Sequence, residues 1–339
     1  MLNMNIWRVK FITLLIAACS VGALIYGLIP DADTSQQQVS SHPVEVPSRP
    51  VATVAANPNS ANPVAPVKPE VTPMKAPLTP AQIRLAIAAE FQSAPDLKAF
   101  FDTYSSPAYA QNGAAAFYAA KAISACVLFV NKTPEAVEQT LFGNLDKNDP
   151  EAAIRINALR ALGDPCKGFT GKANFAEMPS LFKTAASLGD PNGLAATLLE
   201  MDEDGKKLEA LELAKQLLSN PGSDMVQSLI AYFEFRVQPW TVGNGERFYP
   251  KPMIADAWRL VGCGWGDNCG PTSRGLQELC VTQALCQFSS YDEYLRQVVY
   301  SPINYQTLME LKETISAAVL KGDWRSLGLV PKPPIVKAT

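Results

Sequence analysis

The chain has 339 residues, of which 47% are hydrophobic and 18% are charged, so a sizeable folded core is expected. Its net charge is −3 and no run of Lys or Arg stands out, which argues against a nucleic-acid partner, because such proteins present a basic surface to phosphates. The single histidine, His42, lies in a proline-rich stretch. This excludes Ser-His-Asp, Cys-His and HExxH zinc catalysis in the remaining sequence, since each needs an imidazole.

The N-terminus carries an apolar segment of membrane-spanning length. Residues 11–30 contain no charged side chain, and as a helix they would span about 30 Å, the thickness of the hydrocarbon core of a bilayer. Arg8 and Lys10 precede this segment and Asp31 follows it, which predicts that the N-terminus stays in the cytoplasm. We therefore interpret residues 1–30 as a signal anchor or signal peptide. The protein would cross the bacterial inner membrane once and carry its domain in the periplasm.

Two alternatives to an uncleaved anchor remain open. Val21-Gly22-Ala23 is a small-residue motif at which a secretory signal could be cleaved. Ile16-Ala17-Ala18-Cys19 resembles a lipobox, which would make Cys19 the lipid-bearing residue of a lipoprotein. All three interpretations place the rest of the chain outside the cytoplasm.

Residues 31–78 form a proline-rich segment with nine prolines. Proline lacks the amide donor, and this composition offers too little apolar surface to offset the entropy of folding, so a disordered linker is predicted. In an extended polyproline conformation the segment would reach about 150 Å. A plain spacer is the favoured interpretation, and a proline-rich ligand for a partner is the alternative.

A helical domain is predicted over residues 79–325, with a possible sub-boundary near 238–252 and a C-terminal tail over 326–339. Thr79-Pro80 and Thr133-Pro134 are typical helix starts, with Thr as the N-cap and Pro in the first turn. Apolar periodicity predicts helices over residues 82–92, 96–104, 114–130, 134–145, 150–162, 178–188, 192–201, 206–218, 223–236, 253–262, 273–285, 291–299 and 305–320. The helix over 114–130 is apolar nearly all round and is expected to be a buried central helix.

One stretch, residues 236–249, breaks the helical pattern. Its β-prone residues flank Gly243-Asn244-Gly245, which predicts a short hairpin or an ordered loop. The aromatic residues Trp240, Phe248 and Tyr249 are candidates for a partner surface, and packing on a nearby helix is the alternative.

A chain of short helices joined by tight turns indicates an α/α solenoid or an irregular helical array. The segments Leu159–Pro165 and Ala185–Pro191 both end an apolar helix at Gly-Asp-Pro, where glycine suits a left-handed cap and proline prevents continuation. Residues 181–198, with paired alanines before the turn and small residues after it, resemble the junction in Sel-one-like repeats, which are related to tetratricopeptide helix pairs. That resemblance implies a divergent solenoid, because the two turns lie only 26 residues apart.

The C-terminal part resembles a class of uncharacterised bacterial envelope proteins. The resemblance rests on Ala257-Trp258-Arg259-Leu260, on Gly266-Asp267-Asn268-Cys269-Gly270 and on Cys263, Leu279-Cys280 and Cys286. It implies a secreted helical domain and no known activity.

Six cysteines follow the apolar segment: Cys126, Cys166, Cys263, Cys269, Cys280 and Cys286. An even number in an exported domain indicates three disulfides. Zinc is the rival interpretation, but structural zinc sites usually separate paired ligands by two to four residues, whereas five separate each pair here. Sequence alone does not fix the connectivity. Steric arguments favour two short loops, Cys263–Cys269 and Cys280–Cys286, with Cys126–Cys166 as a longer-range link.

Acidic residues are the remaining candidates for chemistry. Glu200, Asp202, Glu203 and Asp204 offer oxygens for a hard cation such as calcium, although a solvated turn between helices is the favoured interpretation. Glu246 beside Arg247, and Asp292 beside Glu293, are the candidates for a glycosidase-type carboxylate pair.

The favoured hypothesis is a membrane-tethered, periplasm-facing interaction or scaffold protein that has no catalytic activity and needs no cofactor or metal. Its partners would be the inner membrane, through residues 11–30, and an envelope protein or peptide. The alternative is a cell-wall-acting enzyme that works through a carboxylate pair.

Overall fold

A computed structural model describes residues 78–129, 132–144, 150–171, 175–235, 241–242 and 247–329. Within these residues the fold is mainly helical, with thirteen α-helices and one short pair of strands. The first seven helices are α1 Pro80–Ser93, α2 Leu97–Tyr104, α3 Gly113–Ala125, α4 Pro134–Phe142, α5 Pro150–Gly163, α6 Glu177–Ser187 and α7 Pro191–Glu203. The others are α8 Lys207–Leu218, α9 Ser223–Phe235, α10 Lys251–Gly264, α11 Arg274–Gln283, α12 Tyr291–Tyr294 and α13 Pro302–Lys321. The predicted membrane segment, lipobox and linker lie outside the described residues.

Helices begin where the sequence places a capping side chain before a proline. The Thr79 hydroxyl accepts from the Gln82 N–H at 3.3 Å, and the Gln82 side chain accepts from the Thr79 N–H at 2.9 Å, which closes a capping box. Thr133 caps α4 in the predicted way. Ser301 does the same for α13, which therefore starts at Pro302, three residues before the predicted start.

The described helices enclose two hydrophobic cores. The N-terminal core is built around α3, whose residues 114–120 are all buried and which packs against α1, α2 and α6. The C-terminal core is built by residues of α7 to α13 and centres on α9, α10 and α13. The prediction of a buried central helix is confirmed, although α3 ends at Ala125 and a 3₁₀ turn, Val127–Phe129, follows it.

The α11 helix belongs to both cores. Its Leu276 is buried in the C-terminal core, whereas Val281, five residues later, is buried in the N-terminal core. The helix packs against α5 of the N-terminal half. We call the contact region between the two cores the seam.

The C-terminal core extends across the predicted sub-boundary near 238–252 and into the predicted tail over 326–339. Residues on both sides of 238–252 belong to the C-terminal core, because α9 and α10 pack against each other across it. Between them lies a two-stranded antiparallel pair, β1 Thr241–Val242 and β2 Arg247–Phe248. The core also extends past residue 325, since Leu327 and Leu329 are fully buried in it.

The predicted helix over 291–299 is divided in two. The α12 helix ends at Tyr294, and a π-helical turn, Leu295–Val299, continues the chain. The turn closes with the Tyr300 N–H donating to the Leu295 carbonyl at 3.0 Å. The Tyr300 hydroxyl donates to Asp256 of α10, so a tertiary contact accompanies this change of winding.

The two Gly-Asp-Pro turns differ in structure. Gly189 has φ +76°, the left-handed conformation predicted for a helix cap. Gly163 stays right-handed with φ −93°, so the prediction of a left-handed cap was wrong there. A Cβ at Gly163 would lie 2.8 Å from Cε1 of Phe129, so glycine serves close packing at this position.

The six cysteines form the three predicted pairs. Cys126–Cys166 has a Cα–Cα distance of 5.3 Å, Cys263–Cys269 one of 5.7 Å and Cys280–Cys286 one of 4.3 Å. The first pair links the end of α3 to the 3₁₀ helix that follows α5 inside the N-terminal core. The other two close short loops at the ends of α10 and α11.

The contact between α6 and α7 depends on Gly193. A Cβ at this position would lie 2.5 Å from the Ala185 Cβ and 2.7 Å from the Ala186 backbone nitrogen. We therefore expect Gly193→Ala to lower the free energy of unfolding by about 1–3 kcal/mol, because two backbones must separate. Urea denaturation measures the change.

Gly275→Ala is the matched control for Gly193→Ala. No atom lies within 4 Å of a Cβ built at Gly275, near the start of α11. This variant should be as stable as the parent or up to about 1 kcal/mol more stable, since alanine favours a helix over glycine. Equal destabilisation by the two changes would contradict the close-packing argument.

Candidate functional site

A cleft opens to solvent in the seam, between α5 and α11. Its volume is about 280 Å³. The α5 wall presents Ile154, Asn157 and Ala158, whereas Leu276 and Gln277 of α11 and Phe288 of the following loop form the other wall. The cleft thus takes one wall from a helix of the N-terminal half and the other from the C-terminal half.

The α5 wall follows from the helical pattern of its sequence. Ile154, Ala158 and Ala161 are spaced i, i+4 and i+7 and line the cleft on one face. Leu159 and Leu162 are buried in the N-terminal core. The helix therefore has one buried apolar face and a second that is only partly covered, where Ala158 is half-buried and Ile154 remains 50% exposed.

Arg155 joins the two walls, and a disulfide braces the α11 wall. The Arg155 Nη2 donates to the Val281 carbonyl at 2.8 Å, and its guanidinium carbon lies 4.9 Å from the centre of the Phe142 ring. Cys280 and Cys286 both line the cleft and are joined to each other. These contacts fix the end of α11 and its following loop relative to α5.

The residues that line the cleft carry no charge. The charged residues next to them in sequence are engaged elsewhere: Arg155 as described, Arg160 with Glu138 at 3.0 Å, and Glu278 with Arg274 at 2.8 Å. Burial raises the pKa of Glu278, although Arg274 acts in the opposite direction. The cleft is therefore suited to binding and offers no acid, base or nucleophile of its own.

A polar cluster occupies another part of the seam. The Tyr118 hydroxyl and the Lys121 ammonium of α3 both donate to the Asp224 carboxylate of α9. Beside them the Gln227 amide donates to Asp267, in the loop closed by Cys263–Cys269. The bonds of Tyr118 and Lys121 to Asp224 join the two halves, whereas Gln227 and Asp267 both belong to the C-terminal half. All five side chains are engaged with one another, so the cluster is explained by packing of the fold.

Burial and mutual repulsion shift the pKa values in this cluster. Burial, and then the charge of Asp224, raise the pKa of Tyr118 above its usual range. Burial also raises the pKa of Asp267, and Asp224 adds to the rise, although Gln227 and Lys121 oppose it. The Tyr118 phenol consequently stays protonated and acts as a donor.

A second polar network lies inside the C-terminal half. Asp256 accepts from the hydroxyls of Tyr291 and Tyr300, each at 2.7 Å, and Arg259 donates to the Tyr291 hydroxyl. Burial raises the pKa of Tyr291, and Asp256 adds to the rise although Arg259 opposes it. The network anchors the π-helical turn to α10.

Of the three aromatic residues predicted to form a partner surface, the structure describes the side chain of Tyr249. Trp240 lies outside the described residues. The backbone of Phe248 pairs with Thr241, and Tyr249 is half-buried against the C-terminal core. Tyr249 therefore packs on neighbouring helices, the alternative interpretation of these aromatics.

The acidic run at the end of α7 lies at a turn between helices. Glu200 accepts from Lys183 at 2.6 Å, and Asp202 is buried. Burial, and then Asp204, raise the pKa of Glu203. No group of three or more His, Cys, Asp or Glu side chains suited to a metal ion is found in the described residues.

The candidate carboxylate pair at the start of α12 is occupied by hydrogen bonds. Asp292 accepts from the Tyr305 hydroxyl at 2.7 Å, and the Ser289 hydroxyl donates to Glu293 at 2.6 Å. The Ser289 hydroxyl and N–H lower the pKa of Glu293, whereas a general acid needs a raised one. Glu246, the other candidate carboxylate named above beside Arg247, lies outside the described residues.

Asn157, Gln277 and the exposed Ile154 were not among the site residues predicted from the sequence. The apolar stripe of α5 at positions i, i+4 and i+7 was visible in the sequence. Such a stripe has the same sequence pattern whether a neighbouring helix covers it or leaves it open to solvent, so it did not indicate a cleft.

In the described part of the chain, no helix combines the length and apolar character needed to cross a bilayer. Comparison with protein-family models, with curated proteins and with solved structures finds no match for this chain.

Proposed function

We propose that this chain is a membrane-tethered, periplasm-facing interaction protein that binds an envelope protein or peptide and performs no catalysis. Residues 11–30 anchor it in the inner membrane, and residues 31–78 hold the helical domain at a distance. The domain is a divergent α/α solenoid of the Sel-one-like type. The observation that carries the proposal is the cleft in the seam, whose lining supplies apolar surface and amides without a reactive group.

The packing of successive helices supports the solenoid part of the proposal. The α6 helix packs on α7, α7 packs on both α8 and α9, and α9 packs on α10. A helix that contacts its next two neighbours is typical of stacked helix pairs. Such arrays leave elongated surfaces between helices, and those surfaces commonly bind peptides or proteins.

The three cysteine pairs support the assignment to the periplasm. All six cysteines of the helical domain are within disulfide-bonding geometry of a partner. Disulfides persist in oxidising compartments and are rare in the bacterial cytoplasm. When the native protein is treated with an alkylating reagent without reduction, mass spectrometry should therefore find these six cysteines unalkylated. Free thiols at all six positions would contradict export.

Site-directed crosslinking in the native host tests the interaction function. A benzophenone amino acid in place of Ile154 should give discrete adducts on illumination, because this side chain is half exposed in the cleft. The same group in place of Leu208, which is 62% exposed on α8, is the control and should give only background. Absence of adducts from Ile154 and from further exposed positions, such as Leu85 and Leu141, would refute the proposal.

A further inference from the structure

We infer that the cleft between α5 and α11 binds an extended, uncharged peptide segment through an apolar side chain. This inference rests on the proposed interaction function and names the site and the chemistry of the partner. It follows from three properties of the cleft: the charge of its lining, the hydrogen-bonding groups on its two walls, and its size.

The lining offers a charged ligand no opposite charge. No residue that lines the cleft is ionisable, apart from the joined Cys280 and Cys286. The charged residues adjacent to the lining in sequence have other partners: Arg155 bonds to the Val281 carbonyl, Arg160 to Glu138 and Glu278 to Arg274. A charge brought into this site would lose hydration without gaining an opposite charge, which is costly.

Two side-chain amides face the ligand from opposite walls. Asn157 lies on the α5 wall and Gln277 on the α11 wall, and neither side chain is hydrogen-bonded to another described residue. An amide both donates and accepts, as a peptide backbone does. An extended strand that passes between the walls would therefore have a donor and an acceptor on each side, and its backbone would supply the matching groups.

The size of the cleft favours an extended segment over a folded element. Its volume is about 280 Å³, below the roughly 300–1,000 Å³ of pockets that enclose a drug-sized ligand. An α-helix with its side chains is about 10–12 Å across and would not enter. The side chains of a strand alternate in direction, so one apolar side chain can point into the cleft between Ile154 and Phe288 while its neighbours stay in solvent.

Affinity selection from a peptide pool tests the inference. The purified full-length chain, in detergent, is incubated with acetylated and amidated decapeptides randomised at every position, and retained peptides are sequenced by mass spectrometry. Retained peptides should be depleted of Asp, Glu, Lys and Arg relative to the starting pool. A retained pool with unchanged charge composition, or no retention above background, would overturn the inference.

Two cleft variants and one control locate the binding. Ile154→Asp places a carboxylate in the cleft and should weaken binding of a retained peptide at least about tenfold, because a charge is desolvated on binding. The double change Asn157→Ala with Gln277→Ala should weaken it about tenfold through loss of two hydrogen bonds. Ile303→Asp, at a position 78% exposed outside the cleft, should leave affinity unchanged. Equal affinity of the Ile154→Asp variant and the parent would place the binding elsewhere.

Failure of the inference can be told apart from failure of the proposed function. Crosslinked adducts at Leu85 or Leu141, with none at Ile154, would leave an interaction protein that does not use this cleft. Sedimentation of the parent and of Ile154→Asp tests a second copy as the occupant. A dimer that the substitution dissociates would overturn the peptide assignment.

Discussion

Replacing Trp258 by alanine should lower the free energy of unfolding by about 3–5 kcal/mol, the range for removing a large aromatic side chain from a packed core. Trp258 is fully buried and stacks on Phe233, with ring centres 4.5 Å apart and an interplanar angle of 17°. The loss combines the removed apolar area, the ring contact and the cavity that remains. Urea denaturation followed by circular dichroism measures it.

Trp324→Ala is the control for Trp258→Ala. Trp324 is only partly buried at the edge of the same core, so its removal opens a groove and leaves no closed cavity. We expect this change to cost about half as much or less, since part of the side chain already faces water. If the two variants unfolded at the same urea concentration, Trp258 would not be the centre of the C-terminal core.

Removing the Cys126–Cys166 link, through Cys126→Ala with Cys166→Ala, should cost about 4 kcal/mol from loop-closure entropy alone. The two residues are 40 apart in sequence, and both are fully buried. The unfolded chain gains the conformations that the long loop excluded, whereas the folded state loses only two sulfur atoms. Urea denaturation of this double variant and of the parent, under non-reducing conditions, measures the difference in free energy of unfolding.

The short loop Cys263–Cys269 provides the comparison. Its residues are 6 apart, so the same argument gives about 2 kcal/mol for Cys263→Ala with Cys269→Ala. The longer link should therefore contribute about twice as much as the short one. Larger destabilisation from the short pair would show that the loop region depends on its disulfide for packing, in addition to entropy.

Helix positions followed largely from the sequence because caps and apolar periodicity are local signals. Thr133 before Pro134 placed the start of α4 at the correct residue. The π-helical turn at 295–299 escaped prediction because it is stabilised by Asp256, more than thirty residues away. The cysteine pairing was favoured by a steric argument but was not fixed by the sequence, since two short loops leave Cys126 and Cys166 for each other only if both form.

The cleft could not be predicted, for a physical reason. Its walls come from α5 and α11, which are separated by more than a hundred residues, and only tertiary packing brings Asn157 and Gln277 to opposite sides of one opening. Gly163 illustrates the same limit. Its place in a Gly-Asp-Pro turn indicated a left-handed cap, whereas the ring of Phe129, 34 residues earlier, is what requires glycine there.

The sharing of α11 between the two cores has a consequence for the order of assembly. A growing polypeptide emerges N-terminus first, and its early part generally folds as soon as its contacts are complete. The N-terminal core lacks Val281 until residue 281 of 339 has been synthesised. A nascent chain stopped before α11 would therefore leave exposed the part of the N-terminal core that Val281 covers, and apolar surface exposed in this way is a target for chaperones.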